Sequence, residues 1–228
     1  MANWYVKKED IKFAFSNGSA ETEMLAGAYP GVHSYRGILK AGSEISPAPD
    51  TRKHVTYIIT SGTGYITTKQ KAYNIQELSF FFPSFEEKFA MHAATDIEYT
   101  KFTLDLTDHD IENYGKSHLV LPLFRKESDC LVYTQNVKIG ETLQKSVVIG
   151  HQMIRVIVGS NFAKENSGFY EIGHNAVAQW NVCHGNCDIM MTVDGEEVEQ
   201  KAGDFSYVKA GLPHGSIAKP GKVLQYVY

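Results

Sequence analysis

The chain has 228 residues, of which 43% are hydrophobic and 21% charged, with 13 Tyr and 12 Phe carrying most of the aromatic content. A net charge of −4, with no run of five like charges and no basic stripe, argues against a nucleic-acid backbone or an anionic membrane as the main partner and points to a small molecule. The N-terminal stretch MANWYVKKEDIKFAF lacks the apolar core of a signal peptide, and nothing approaches the roughly 18 apolar residues of a spanning helix, so a cytoplasmic protein is expected.

Strand patterns dominate from the start. NGS at 17–19 fits a glycosylation sequon, but without a secretion signal it reads as a turn. VTYIITSGTGYITT (55–68) is a β-rich run broken by Gly62 and Gly64, and KAYNIQELSFFFPSF (71–85) alternates before stopping at Pro83. DLTDHDIENYGKSHLVLPLFRKESD (105–129) is more polar, with one short helix in DHDIENYGK, and reads as a linker. Beyond it the same order returns. IMMTVDGEEVEQ (189–200) carries Asp194-Gly195 at a hairpin turn, and KAGDFSYVKAGLPHGSIA supplies another strand and loop. The halves therefore form a repeat of about 125 residues, with expected boundaries at 1–107 for the first unit, 108–129 for the linker and 130–228 for the second unit.

Cys130, Cys183 and Cys187 form an odd, sparse set, so reduced thiols are expected rather than a disulfide framework. CHGNC (183–187), with His184 between its cysteines, has the form of half a zinc site. No second Cys/His pair at suitable spacing completes it.

AGDFSYVKAGLPH, with TVDGEEVEQ just upstream, resembles the second motif of the cupins, in which a glycine, a proline and a second glycine lead to a metal-binding histidine. Gly203, Gly211 and His214 match, and Lys209 replaces the proline. The resemblance implies an all-β fold of two cupin barrels in one chain, a bicupin, holding a divalent metal (Fe, Mn, Zn or Ni). It also implies inward-pointing ligands, because inward residues alternate along barrel strands.

The first cupin motif is degenerate, and two registers compete. In one, GHNAVAQWNVCHG (173–185) is the ligand strand and the metal ligands are His174, Gln179 and His214. In the other, His184, Asp188 and His214 form a two-histidine, one-carboxylate set suited to Fe(II) or Mn(II). The spacing from Gly195 to Gly203 favours the first, leaving His184 and Tyr207 to handle a proton. In the first barrel the same alignment puts Lys88 at the histidine position, with His54 and His92 as nearby imidazoles. An ammonium there repels a dication, so a metal or polar cluster is expected in the C-terminal barrel.

The leading expectation is a metal-dependent enzyme acting on a small oxygenated metabolite, with isomerase, lyase, hydrolase and dioxygenase chemistry all compatible. A metal-free barrel that binds a sugar or hydroxy acid is the competing reading, and a structural or storage role is a third. Exposed barrel edges suggest a homodimer.

Overall fold

The structure is a computed structural model that describes residues 4–117, 120–149, 153 and 155–228; positions 118 and 119 of the expected linker lie outside the described residues. Two compact units emerge, one from residues 11–130 and 148–156, the other from 1–10, 131–147 and 157–228. They are called here the N-terminal and C-terminal units. Each is built from two antiparallel sheets whose inner faces share one core.

In the N-terminal unit a six-stranded sheet runs in the order Leu123–Lys126, Ser79–Phe82, Lys53–Ser61, Ile97–Asp105, Val32–Leu39 and Ser19–Tyr29. A four-stranded sheet orders Glu44–Ile45, Phe89–Ala93, Gly64–Thr68 and Ala72–Ile75. Alternation along these strands sends Tyr57, Ile59, Phe81, Phe89, Met91 and Tyr99 into one buried cluster drawn from both sheets. The rings interlock: Phe81 and Phe89 lie 4.9 Å apart, and Tyr57 sits 5.6 Å from Phe89 and 5.5 Å from Tyr99.

The C-terminal unit repeats the plan. Its seven-stranded sheet runs Tyr5–Val6, Phe205–Val208, Gln179–Cys183, Leu224–Val227, Val158–Ala163, Thr142–Val148 and Leu131–Tyr133. Its five-stranded sheet runs Lys138–Ile139, Gly168–Glu171, His214–Ala218, Asp188–Val193 and Glu196–Lys201. The Asp194-Gly195 turn joins the last two strands with both residues at positive φ, +50° and +81°, as a tight hairpin of this kind requires.

Two boundaries differ from those read in the sequence. Tyr5–Val6 pairs with Phe205 and Ser206, so the first residues belong to the C-terminal unit. Buried Asp204 anchors them by accepting from the backbone N–H of Lys8 at 2.8 Å and of Lys201 at 2.8 Å, and by facing the Lys7 ammonium. The stretch 108–129 is more than a linker. Asp108–Lys116 is a helix capped by Thr107, whose hydroxyl and backbone N–H both meet the Asp110 carboxylate, which Arg155 also pairs at 2.8 Å. Leu123–Lys126 then joins the sheet edge, with Phe124 stacked on Tyr73. Four residues are too few for a strand period to show in sequence.

Candidate metal centre

Glu171 ends one strand of the five-stranded sheet, directly opposite His214, which begins the next. His174 follows in the loop after Glu171. Two glycines bring that loop against the one before His214. Gly173 has φ +105°, and a Cβ there would lie 2.6 Å from the Gly211 carbonyl oxygen; Gly211 itself has φ +88° and donates its N–H to the His174 carbonyl at 3.1 Å. The two imidazoles meet edge to face, with ring centroids 5.2 Å apart.

Hydrogen bonds fix which nitrogen each histidine presents. The His174 Nδ1–H donates to the Val177 carbonyl at 2.6 Å, and the His214 Nδ1–H to the Leu212 carbonyl at 3.0 Å. A carbonyl oxygen can only accept, so in the neutral imidazole each Nε2 is left with its lone pair. Both Nε2 atoms face Glu171, at 3.8 Å from His174 and 4.0 Å from His214. Those separations are beyond hydrogen-bond range, so the carboxylate faces both rings without sharing a proton with either. His214 is 4% exposed and its Nε2 has no hydrogen-bond partner, a costly arrangement for a buried polar atom unless something else coordinates it. The three donor atoms lie within 4.8 Å of one another. Two imidazoles and a carboxylate, each ring oriented by a backbone carbonyl, make up a donor set of the kind that could hold a divalent metal ion.

A wall of hydroxyls and amides continues inward from His214. Ser216, two residues on and on the same strand face, donates to the Tyr226 hydroxyl at 3.3 Å. Tyr226 stands across the ladder from Asn161, and Gln144 donates its amide to the Asn161 carbonyl oxygen at 3.4 Å. Tyr133, opposite Gln144, hydrogen-bonds through its hydroxyl to that of Tyr228. Burial above all, with the Glu171 charge adding to it, holds the phenols of Tyr133, Tyr226 and Tyr228 above the usual range, so they stay protonated at neutral pH.

Of the residues named from sequence, His174 and His214 are brought together here. Gln179 lies on the strand face shared with Asn181 and gives its amide N–H to Asn181 at 2.8 Å; the carboxylate that completes the pair of histidines is Glu171. Sequence reading missed Glu171 because the family order looks for a carboxylate after the histidine. The available signal was its position two residues past Phe169, a core residue on the same strand face. His184 and Asp188 are remote from His214: Asp188 begins the strand that pairs His214 only at its last residue, Val193. Five residues of strand put them about 17 Å apart. Asp188 is paired with Lys219 at 2.9 Å. Tyr207 points outward, its ring 5.0 Å from Trp180, because its neighbours Ser206 and Val208 take the inward positions.

Cys183 and Cys187 are buried in the C-terminal core, where a hydrogen bond between them and then burial raise the Cys183 thiol well above its usual range. In the N-terminal unit Lys88 is exposed. His54 is buried between Thr56 and Tyr114, each at 3.0 Å, and His92 bridges Glu44 and Thr67. Open clefts of about 580 Å³ beside Asp188 and about 330 Å³ beside Tyr114 contain none of the three donor residues. No helix of the described residues is long and apolar enough to cross a membrane.

No family description and no curated protein matches the chain by sequence. Solved structures do match its fold. A Pseudomonas aeruginosa protein assigned as glyoxylate-induced superposes with a TM-score of 0.76 at 14% identity, over 99% of this chain and 88% of that one. A cupin 2 conserved barrel domain protein from Leptotrichia buccalis gives 0.67 at 13% identity, over 100% and 95%. Oxalate decarboxylase from Lactobacillus farciminis, in its formate complex, gives 0.74 at 9% identity, over 100% and 85%. In its fold, a pair of antiparallel β-barrel units in one chain, this protein is similar to cupin proteins.

Proposed function

We propose that the chain is a divalent-metal-dependent enzyme acting on a small oxygenated metabolite in its C-terminal barrel. One observation carries this reading: two histidines, each locked by a backbone carbonyl, turn their bare Nε2 atoms towards a carboxylate that bonds neither. Glu171, His174 and His214 would hold the metal, which when bound supplies Lewis acidity towards a carbonyl or hydroxyl oxygen. Around it the chain's own groups divide the remaining work. Tyr226, supported by Ser216, and the Tyr133–Tyr228 pair offer protonated phenols to a ligand oxygen, and the deep position of His214 keeps water from one side of the centre. Isomerase, lyase, hydrolase and dioxygenase reactions all begin from such a centre. The structural likeness to an oxalate decarboxylase supports the small-molecule class.

Elemental analysis of protein dialysed against manganese, iron, zinc or nickel tests the reading. About one equivalent is expected in the wild type and in His184→Ala, and none in His174→Ala, Glu171→Ala or His214→Ala. A wild type that retains no metal, or a metal that survives His214→Ala, would overturn it.

A further inference from the structure

Each sheet also has an outer face, turned away from the core, and the smaller sheets of the two units differ there. On the four-stranded sheet of the N-terminal unit the register turns Glu44, His92, Tyr65, Thr67 and Asn74 outward. His92 ties these together, pairing with Glu44 at 2.9 Å, meeting Thr67 at 3.2 Å and stacking on Tyr65 at 4.4 Å. On the five-stranded sheet of the C-terminal unit the outward positions carry Ile139, Tyr170, Ile217, Met190 and Thr192, with Gly168 and Gly215 among them. Tyr170 lies across Gly215, where a Cβ would come within 3.1 Å of its ring, so the side chain is laid flat on the sheet. The face stays open: Ile139 is 41% exposed, Tyr170 51%, and Ile172, just past the end of its strand, 85%. Single exposed apolar side chains are normal, but a row that crosses neighbouring strands marks an interaction surface.

The charged edge of the same face fits a second copy of the chain. Glu197, Glu199 and Lys201 follow one another outward along the edge strand, acidic at one end and basic at the other. Glu199 is neutralised by Lys219 at 2.9 Å, which also holds Asp188. A two-fold axis lying across the strands reverses this edge, so Glu197 of each copy meets Lys201 of the other while the apolar strands meet their own counterparts. The exposed side chains of the face present roughly 800 Å², about what each partner contributes to a standard-size interface. We propose that the outer face of the five-stranded sheet is a homodimer interface, with Ile139, Tyr170 and Ile217 as its apolar part and reciprocal Glu197–Lys201 pairs at its edge. The dimer is built face to face rather than edge to edge, and it forms whether or not a metal is held.

Sedimentation equilibrium over a concentration series, on metal-free protein, provides the test. The wild type is expected to be a dimer. Tyr170→Glu, checked for folding by circular dichroism, weakens association at least about 100-fold, because a charge then replaces an aromatic anchor. Glu197→Lys and Lys201→Glu, both at exposed positions, each weaken it at least about five-fold by setting like charges together, and the double variant returns it to within about two-fold of the wild type. The charge cycle decides by itself if Tyr170→Glu does not fold. A wild type still monomeric at about 100 μM, an unchanged dimer in folded Tyr170→Glu, or charge variants whose effects add in the double variant instead of cancelling would overturn the interface.

Discussion

The two units share a plan of paired antiparallel sheets and differ in what their inward positions carry. In the N-terminal unit those positions hold rings and aliphatic chains that fill the space between the sheets, Tyr57, Phe81, Phe89 and Tyr99 among them. In the C-terminal unit the equivalent interior holds Gln144, Asn161, Asn181, Ser206, Ser216 and His214, all buried and most of them joined by hydrogen bonds. A buried polar group costs about 1–3 kcal/mol when unpaired, so a wall of them is maintained only where each is satisfied or awaits a partner. The fold tolerates either filling. Apolar packing dominates the first interior, although His54, Thr56 and Thr100 are buried in that unit as well, while the second sets its polar wall beside an apolar cluster of its own.

The widest separation between the units is expected in metal retention. His214→Ala should lower retention of the divalent metal by at least about 100-fold, while His54→Ala and His92→Ala in the N-terminal unit should leave the stoichiometry at the wild-type value. Metal analysis after dialysis reads both. Loss of metal from His92→Ala in folded protein would place a centre in the wrong unit and collapse the contrast.

Stability should show the opposite asymmetry. Phe81→Ala removes a ring that packs on Tyr57, Tyr73 and Phe89 in a filled interior, at an expected cost of about 3–5 kcal/mol in denaturant unfolding. The surviving folded fraction should still bind metal as the wild type does. A Phe81→Ala protein that is folded but metal-free would mean the two interiors are not independent.

Acid should act first on the filled unit. Burial lowers the pKa of His54 to about 4, against about 6.5 in an unfolded chain. Between those values the unfolded chain binds the extra proton, so His54's contribution is whole above about pH 6.5 and is lost as the pH falls towards 4, by about 3 kcal/mol. Stability measured across that window should fall more steeply in the wild type than in His54→Gln, in which the titrating ring is gone. Parallel curves would show that the imidazole is not buried in its neutral form.

How much of this contrast was legible in the sequence depended on the range of the interactions involved. The hairpin at Asp194-Gly195, the strand alternation and the repeat are local and period-two patterns, so they could be read directly. His214 was named from the glycine spacing of the second motif, and His174 from one of two registers of the degenerate first motif. Glu171 was not, since its role follows from a strand pairing with His214, 43 positions later in the chain, that no local pattern encodes. For the same reason the Tyr5–Val6 strand was assigned to the wrong unit: its partner, Phe205–Val208, lies at the other end of the chain. His184 and Tyr207, named from sequence to handle a proton, stand away from the Glu171–His174–His214 cluster, because proximity in sequence to a ligand strand does not fix the face on which a side chain stands.

The smallest expected effect comes from those two residues. In the strand Phe205–Val208, Val208 joins the core and Ser206 donates to Gln200 inside the barrel, so the period of two turns Tyr207 outward onto Trp180. His184 follows the strand Gln179–Cys183 and donates its backbone N–H to Gln225, at the end of the barrel away from His214. Tyr207→Phe keeps the ring contact and removes only a hydroxyl, and His184→Ala shortens a half-buried side chain beside an exposed turn. Both should leave metal content at the wild-type value and shift stability by no more than about 1 kcal/mol. A change in ligand affinity in Tyr207→Phe, with metal content intact, would mean that the outer face of this sheet takes part in recognition and that the division between a filled and a receptive interior omits part of the functional surface.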